Sequence, residues 1–203
     1  MTQKGQPITA IGGSYVQTRR ELASMRGQIS EIRDRMRKLQ HSIEAQPVTD
    51  YRFSTIDGER TLSSLFGEKD DLIMIHNMGR SCSYCTLWAD GYNGLYPHLA
   101  NRAAFVVSSP DTPEVQQSFA ASRGWRFPMV SHHGTSFAED MGYRSPKGGW
   151  NPGVSAFQRR GDQIVRVSDT ELGPYDDFCA AWHLFDLFPE GSNNWSPKFK
   201  YQD

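Results

Sequence analysis

The residues of this sequence best suited to chemistry are Cys82 and Cys85, which are spaced as Cys-x-x-Cys. An apolar run, Leu72–Ile75, precedes them and predicts a buried strand, and Gly79–Ser81 predicts a turn. The residues that follow, from Thr86 onward, are typical of a helix. The sequence therefore predicts a strand, a turn and a dithiol at the start of a helix.

A dithiol in this position is suited to disulfide exchange. The first helical turn has unpaired backbone N–H groups and the positive end of the helix dipole, which stabilise a thiolate. The thiolate is the nucleophile of the exchange, and a second cysteine one turn further along can attack the mixed disulfide. We therefore predict that Cys82 is the attacking thiol and Cys85 the resolving thiol, with no cofactor.

Two other interpretations of the dithiol are a half zinc site and a pair of inert reduced cysteines. A structural zinc site needs four ligands. Toward the second Cys-x-x-Cys or histidine pair that a zinc ribbon would need, the sequence offers only Cys179 and the adjacent pair His132-His133. Adjacent histidines rarely bind one ion, so no metal is expected. Cys179 has apolar neighbours and is expected to be a buried free thiol.

Several neighbours of the dithiol are candidates for the lining of the site. Arg80 would lower a thiol pKa if it folded over the sulfur, but it could equally be a solvated turn residue. Asp90 could accept the proton of the resolving thiol or be an exposed helix acid, and His76 is more typical of a core histidine than of a group that poises a thiolate. The expected lining is Arg80, Ser81, Tyr84, Trp88, Asp90 and Pro152.

The composition suits one globular domain with an appendage, because the chain has 203 residues and 37% hydrophobic residues. Its net charge of -1 favours neither nucleic acid nor a membrane surface as a partner. The sequence has no long apolar run, its N-terminus has no apolar signal region, and its three cysteines form no secreted disulfide framework. A cytoplasmic protein is expected.

The N-terminal part predicts a leader over residues 1–15 and a helical arm over residues 16–47. Apolar residues recur at steps of three and four and predict one long helix from about Val16 to Ala45, which Pro47 would end. The arm has seven basic and four acidic residues, whereas the chain from Val48 onward has fourteen basic and nineteen acidic residues. The stripe consists of Leu22, Met25, Ile29, Ile32, Met36, Leu39 and Ile43.

The basic arm is expected to dock on the acidic domain of its own chain or of a neighbouring subunit, and the latter would give a homo-oligomer. The stripe follows heptad a and d positions. The e and g positions that flank this stripe from Arg26 to Ser42 contain no acid, so charge does not specify a homomeric coiled coil. Nucleic-acid binding is disfavoured because acids interrupt the basic face and no aromatic residue lies in it.

The rest of the chain predicts an α/β domain over residues 48–190 and an irregular tail over residues 191–203. Asp57-Gly58 indicates the turn of a β-hairpin between Tyr51 and Leu62. A mixed sheet flanked by helices follows from the order of the remaining elements. The further strands are expected at 103–109, 124–131, 154–157 and 163–168, and the helices at 86–101, 110–122 and 177–188, with a long loop over 137–150.

The chain resembles the thioredoxin-like family labelled predicted dithiol-disulfide isomerase, a relative of the peroxiredoxins and thioredoxins. The match lies in Tyr51–Phe53 with Asp57-Gly58, Ser63–Phe66, Cys82–Asp90, Gly124–Pro128, Phe137–Asp140 and Leu184–Pro189. The resemblance implies a thioredoxin-like mixed sheet and a protein or small-molecule thiol or disulfide as substrate.

Two positions help to choose among the chemistries of such relatives. Pro152 stands where a thioredoxin-type site has a cis-proline facing the dithiol, so a cis bond is expected, a trans loop proline being the alternative. A peroxiredoxin would place Thr three residues before its reactive cysteine, where this chain has Gly79, and would use an arginine, for which Arg144 is the nearest candidate. The expected function is thiol–disulfide exchange. The alternatives are a thiol peroxidase and a redox-inactive binding or assembly module.

Overall fold

The computed structural model describes residues 14–201. The leader predicted for residues 1–15 lies outside the described residues except for Ser14 and Tyr15. The chain divides into two compact units, with the boundary between Ile43 and Glu44.

The first unit contains one long helix, α1, over Tyr15–His41. Ser14 caps it, because its hydroxyl accepts the backbone N–H of Gln17 at 3.3 Å. The helix ends four residues before the predicted Ala45, and at its end the N–H of Ser42 donates to the carbonyl of Leu39 at 3.0 Å. No residue of α1 is buried in the described chain.

The second unit contains an eight-stranded mixed sheet in the order β1-β8-β7-β4-β5-β6-β2-β3. Strands β4, β5 and β6 are parallel to one another, and the other neighbouring pairs are antiparallel. This mixed sheet flanked by helices confirms the predicted α/β fold. The strands are β1 Gln46–Pro47, β2 Arg52–Thr55, β3 Gly58–Thr61, β4 Asp71–His76, β5 Ala104–Ser109, β6 Met129–Ser131, β7 Gly153–Arg160 and β8 Gln163–Glu171. The helices are a 3-10 turn Ser63–Phe66, then α2 Ser83–Arg102, α3 Pro113–Arg123, α4 Phe137–Asp140 and α5 Ala180–Phe185.

Strand β4 separates two hydrophobic clusters because successive side chains of a strand point to opposite faces. Leu72 and Met74 pack in one cluster with Phe157. Ile75 packs in the other cluster with Cys85 and residues of α2. The dithiol helix therefore covers the Ile75 face of the sheet.

Helix α2 is longer than predicted and has no interruption at its glycines or at Pro97. Proline has no N–H, so Pro97 leaves the carbonyl of Asn93 without its usual helical donor. The side chain of Arg126 donates to that carbonyl at 3.3 Å, which satisfies it from outside the helix. None of the helices in residues 14–201 is long and apolar enough to span a membrane.

Helix α5 is shorter than the predicted range 177–188, because the chain before it is held in a turn. The carboxylate of Asp176 accepts the N–H groups of Gly173 at 3.0 Å and Phe178 at 2.9 Å. The helix consequently begins only at Ala180.

Candidate active site

The dithiol lies at the N-terminus of α2, with Cys82 as the N-cap residue. The Cys82 sulfur accepts the backbone N–H of Cys85 at 3.0 Å, as a capping side chain does. The Cys82 carbonyl accepts both the N–H and the hydroxyl of Thr86, at 3.1 and 2.9 Å. Three hydrogen bonds thus fix the position of Cys82 on the first turn of the helix.

The two thiols have different environments and different acidities. Cys82 is partly exposed, whereas Cys85 is buried. The pKa of Cys82 is lowered to about 7, mainly by a hydrogen bond from the Cys85 thiol and further by the N–H groups of Cys85 and Tyr84, although burial opposes this. The pKa of Cys85 is raised by its hydrogen bond to Cys82, by burial and by the negative charge of Cys82. Cys82 is thus the thiol that ionises near neutral pH.

The loop between β4 and α2 holds the dithiol against the sheet. The N–H of Asn77 donates to the carbonyl of Ser108 on β5 at 2.9 Å, and its side-chain oxygen accepts the N–H of Gly79 at 2.8 Å. The N–H of Met78 donates to the Cys85 sulfur at 3.4 Å. This loop therefore connects the central strands directly to the buried thiol.

Asp111, which follows β5, supports the same loop from the other side. Its carboxylate accepts the backbone N–H of Arg80 at 2.7 Å. Gly79 has φ +97°, and a Cβ built on it would lie 2.9 Å from that carboxylate, so both backbone conformation and space favour glycine here. The Arg80 side chain is exposed, and its described hydrogen bond is made through the backbone.

Sequence reasoning missed Asn77 and Asp111 as parts of the site. Asp111 lies 31 positions from its partner Arg80, and only the parallel pairing of β4 and β5 brings the two loops together. The order of the strands would have indicated this, because the carboxyl ends of adjacent parallel strands meet at one edge of a sheet.

Aromatic side chains form the wall of the site on the α5 side. Tyr84, between the cysteines, is partly exposed, and its ring centroid lies 6.3 Å from that of Trp88 and 6.2 Å from that of Trp182. Trp88 is 3% exposed, and its indole N–H donates to Asp176 at 3.4 Å. Trp88 thus belongs to the core beneath the dithiol, whereas Tyr84 is partly exposed to solvent.

Cys179 is buried in the same hydrophobic cluster as Cys85, as predicted for a free thiol. Burial raises its pKa.

Asp90 does not hydrogen-bond to either cysteine in the described structure. Its carboxylate forms an ion pair with Arg123 and accepts the indole N–H of Trp125 at 2.8 Å. It therefore connects α2 to the end of α3 and to the segment that follows.

The expectation that Pro152 forms a cis bond is wrong, because no peptide bond among residues 14–201 is cis. The carbonyl of Pro152 accepts the N–H of Leu172 at 3.0 Å, directly beyond the pairing of Gly153 with Glu171. This hydrogen bond extends the β7–β8 ladder through Pro152, and the trans bond is also the lower-energy form. Gly153 in turn pairs with His76 at the end of β4.

His76 is a core histidine, as its position on the site strand suggested. It is 2% exposed, its Nε2 is 2.8 Å from the hydroxyl of Ser155, and its ring stacks on Tyr143 with centroids 3.8 Å apart. It lies on the face of β4 opposite Ile75 and the dithiol helix. Burial, followed by the charges of His132 and Arg166, lowers its pKa well below the usual range.

His132 is likewise buried, and neither of its ring nitrogens has a hydrogen-bond partner in the described structure. Its pKa is lowered to about 4, by burial and then by the charges of His133 and Arg144. Within residues 14–201, no three His, Cys, Asp or Glu side chains are placed to hold a metal ion.

Several solved structures named as peroxiredoxins or relatives share this fold. Peroxiredoxin Q of Xanthomonas campestris matches with a TM-score of 0.54 and 20% identity over 65% of this chain and 87% of that chain. Peroxidoxin BcpB from Mycobacterium tuberculosis matches with a TM-score of 0.52 and 22% identity over 63% of this chain and 84% of that chain. Reduced Prx3 from Vibrio vulnificus matches with a TM-score of 0.54 and 13% identity over 66% of this chain and 89% of that chain. At these identities the similarity shows the fold alone.

The chain belongs to the family described as "Bacterial protein of unknown function (DUF899)", which it matches over residues 9–202. The search of curated proteins found no significant match. The comparisons thus give the family and the fold but not the isomerase activity that the sequence resemblance implied.

Proposed function

We propose that this protein is a thiol–disulfide oxidoreductase in which Cys82 attacks and Cys85 resolves. The observation that carries the proposal is the N-cap position of Cys82, whose sulfur accepts the N–H of Cys85 at 3.0 Å while remaining partly exposed. A thiolate at this position is stabilised by the helix N-terminus and is accessible to a substrate. The lowered pKa of Cys82, about 7, agrees with this role.

In the reducing direction, the Cys82 thiolate attacks one sulfur of a substrate disulfide. The substrate S–S bond breaks, the Cys82–substrate S–S bond forms, and the other substrate sulfur leaves as a thiolate that takes up a proton. Cys85 then loses its proton and attacks the Cys82 sulfur, which releases the second substrate thiolate. Two electrons pass from the dithiol to the substrate, and a separate dithiol reductant restores the pair.

The environment of Cys85 explains why it would act second. Before the attack, the hydrogen bond to Cys82 and the charge of Cys82 both raise the Cys85 pKa. Both effects end once the Cys82 sulfur is part of a mixed disulfide. Burial then remains as the opposing effect, while the N–H of Met78, 3.4 Å from the Cys85 sulfur, stabilises the nascent thiolate. The resolving thiol is thereby activated by formation of the mixed disulfide.

The substrate would be a protein or small-molecule disulfide that reaches the exposed side of Cys82. Tyr84 is the partly exposed aromatic residue beside the dithiol, and its ring offers an apolar surface to the chain or group flanking that disulfide. Disulfide isomerisation, the activity implied by the sequence resemblance, would use the attack of Cys82 followed by rearrangement within the substrate.

A thiol peroxidase is the second candidate, because the similar solved structures are named as peroxiredoxins. Cys82 would break the O–O bond of a peroxide, retain one oxygen as a sulfenic acid and release an alcohol or water. Cys85 would then form the disulfide with Cys82 and release water. Gly79 stands where peroxiredoxins place a threonine, so no side-chain hydroxyl is available at that position. Peroxide consumption measured in rapid mixing distinguishes this candidate.

The test of the proposed function is reduction of insulin disulfides by dithiothreitol with catalytic amounts of protein. We expect Cys82→Ser to abolish catalysis and Cys85→Ser to accumulate mixed disulfide detectable by intact mass. Cys179→Ser is the matched control and should retain activity, since Cys179 is buried in the core. Equal activity of the wild type and Cys82→Ser would leave the alternative of a redox-inactive binding or assembly module.

A further inference from the structure

Helix α1 has a long apolar stripe, and no residue of this helix is buried. Six large apolar side chains of α1, from Leu22 to Leu39, and that of Ile43 just beyond its end are 44–68% exposed. A stripe of this length is more than the scattered apolar residues of an ordinary surface and is typical of an interaction site. Most of the stability of helices in proteins comes from packing of their apolar face, so we expect α1 to have a partner that covers this stripe.

The heptad pattern begins earlier than the apolar stripe alone indicates. Helix α1 starts at Tyr15, which lies seven residues before Leu22 and therefore also occupies an a position. In this frame Glu21 occupies a g position, one heptad before the e and g residues counted from Arg26. Within α1 the a positions are Tyr15, Leu22, Ile29 and Met36, and the d positions are Thr18, Met25, Ile32 and Leu39; Ile43 continues the pattern just beyond the helix end.

The charges beside the stripe favour a second copy of α1 in parallel orientation. In a parallel pair, each g residue faces the e residue five positions later on the other helix. Glu21 of one copy then faces Arg26 of the other, which is an attractive pair. The remaining pairs join an amide to an arginine, Gln28 to Arg33 and Arg35 to Gln40, so no like charges face each other.

An antiparallel pair would bring together residues of the e positions from both helices. Three of the four e positions between Arg19 and Gln40 are arginines. This arrangement would place like charges opposite one another and is disfavoured.

We propose that α1 forms a parallel, in-register two-stranded coiled coil with α1 of a second copy of this chain. The occupant of the apolar stripe is therefore the same stripe of the second copy. This inference rests on α1 alone and is independent of the proposed redox function.

The first test is the mass of the full-length protein in solution, measured by light scattering after size-exclusion chromatography. We expect twice the chain mass of 23.0 kDa. The variant Ile29→Lys/Ile32→Lys places two lysines at a and d positions and should be monomeric. The matched control Ser30→Lys/Glu31→Lys places them at outward b and c positions and should remain dimeric. A monomeric wild type, a trimer, or a dimer that survives Ile29→Lys/Ile32→Lys overturns the proposal.

The second test determines orientation, in full-length protein with the three native cysteines replaced by serine. A parallel, in-register pair brings the two d positions at residue 25 together, so Met25→Cys should form an intermolecular disulfide with oxidised glutathione. Ser24→Cys, at an outward c position, should not. A dimer in which Met25→Cys does not cross-link, or in which Ser24→Cys cross-links equally, contradicts the parallel arrangement.

Discussion

At the scale of single residues, the acidity of Cys82 is the property from which the proposed chemistry follows. An ordinary cysteine has a pKa of about 8.5 and is mostly protonated at neutral pH. The hydrogen bond from Cys85 and the N–H groups of the first helical turn bring the pKa of Cys82 to about 7. Roughly half of Cys82 is therefore expected to be a thiolate at neutral pH.

This acidity predicts the pH dependence of alkylation. In Cys85→Ala, where the donating thiol is absent, the midpoint for the reaction of Cys82 with iodoacetamide should move upward from the value of about 7 expected in the wild type. Cys82→Ser should remove the low-pH reaction altogether. The rates are measured by intact mass between pH 5 and 9. A wild-type midpoint of about 8.5, as in a free thiol, would contradict the proposed role of Cys82.

The two buried histidines predict that acid destabilises the fold before most carboxylates titrate. His132 has a pKa of about 4 in the folded chain, and the pKa of His76 is also well below its usual value. In the unfolded chain both bind protons near pH 6.5, so the unfolded state gains protons first as the pH falls. The contribution of these two histidines to the free energy of unfolding should therefore be constant above about pH 7 and fall between pH 6.5 and 4.

The variant His132→Leu isolates one of these contributions. It should lose about 1 kcal/mol less stability than the wild type between pH 6 and 5, because one histidine no longer titrates on unfolding. The same replacement of the exposed His98 is the matched control. Urea unfolding at each pH gives the free energies. Parallel curves for His132→Leu and the wild type would show that His132 is not held neutral.

At the scale of elements, strand β7 depends on a glycine where it passes Tyr143. A Cβ on Gly153 would lie 1.9 Å from the Tyr143 ring and 2.8 Å from the backbone carbonyl of Thr170. We expect Gly153→Ala to destabilise the protein by about 3 kcal/mol, because the backbone of the sheet would have to move. Gly91→Ala, within α2 and with nothing within 4 Å of its Cβ, should instead stabilise it by about 0.5–1 kcal/mol. Thermal unfolding compares the two, and equal melting temperatures for them would refute the close packing at Gly153.

The strand, turn and helix around the dithiol could be predicted because their signals are local. The apolar run of β4 and the Cys-x-x-Cys spacing lie within fifteen positions of each other. Strand β1 could not be predicted, since it has two residues and exists only by pairing with Val165 and Arg166 of β8. The cis bond expected at Pro152 came from the resemblance, and in this chain that bond is trans.

The parts of the site that sequence reasoning missed are those that depend on the order of strands. Asp111 contacts the dithiol loop only because β4 and β5 are adjacent and parallel. The sequence position of Asp90 permits contact with the sulfurs. Its carboxylate instead binds Arg123 and Trp125, which lie 33 and 35 positions later in the chain. Long-range partners of this kind leave no periodic signal in a single sequence.

At the scale of the whole molecule, the chain combines two units with separate roles in our proposals. The unit from Glu44 onward contains the dithiol, and the unit before it contains α1. If α1 only assembles two copies, the monomeric variant Ile29→Lys/Ile32→Lys should reduce insulin at the wild-type rate per chain. A rate that falls with the loss of the dimer would instead show that the second copy takes part in the reaction.

The measurement that tests the central claim most directly is a redox titration of Cys82 and Cys85 in glutathione buffers, followed by alkylation and intact mass. We predict one two-electron transition between dithiol and disulfide, with a midpoint within the range of known dithiol oxidoreductases, roughly -270 to -120 mV. Cys179→Ser should titrate in the same way, and Cys82→Ser should show no transition. Thiols that remain alkylatable at every ratio of reduced to oxidised glutathione would contradict the assignment of thiol–disulfide exchange to this site.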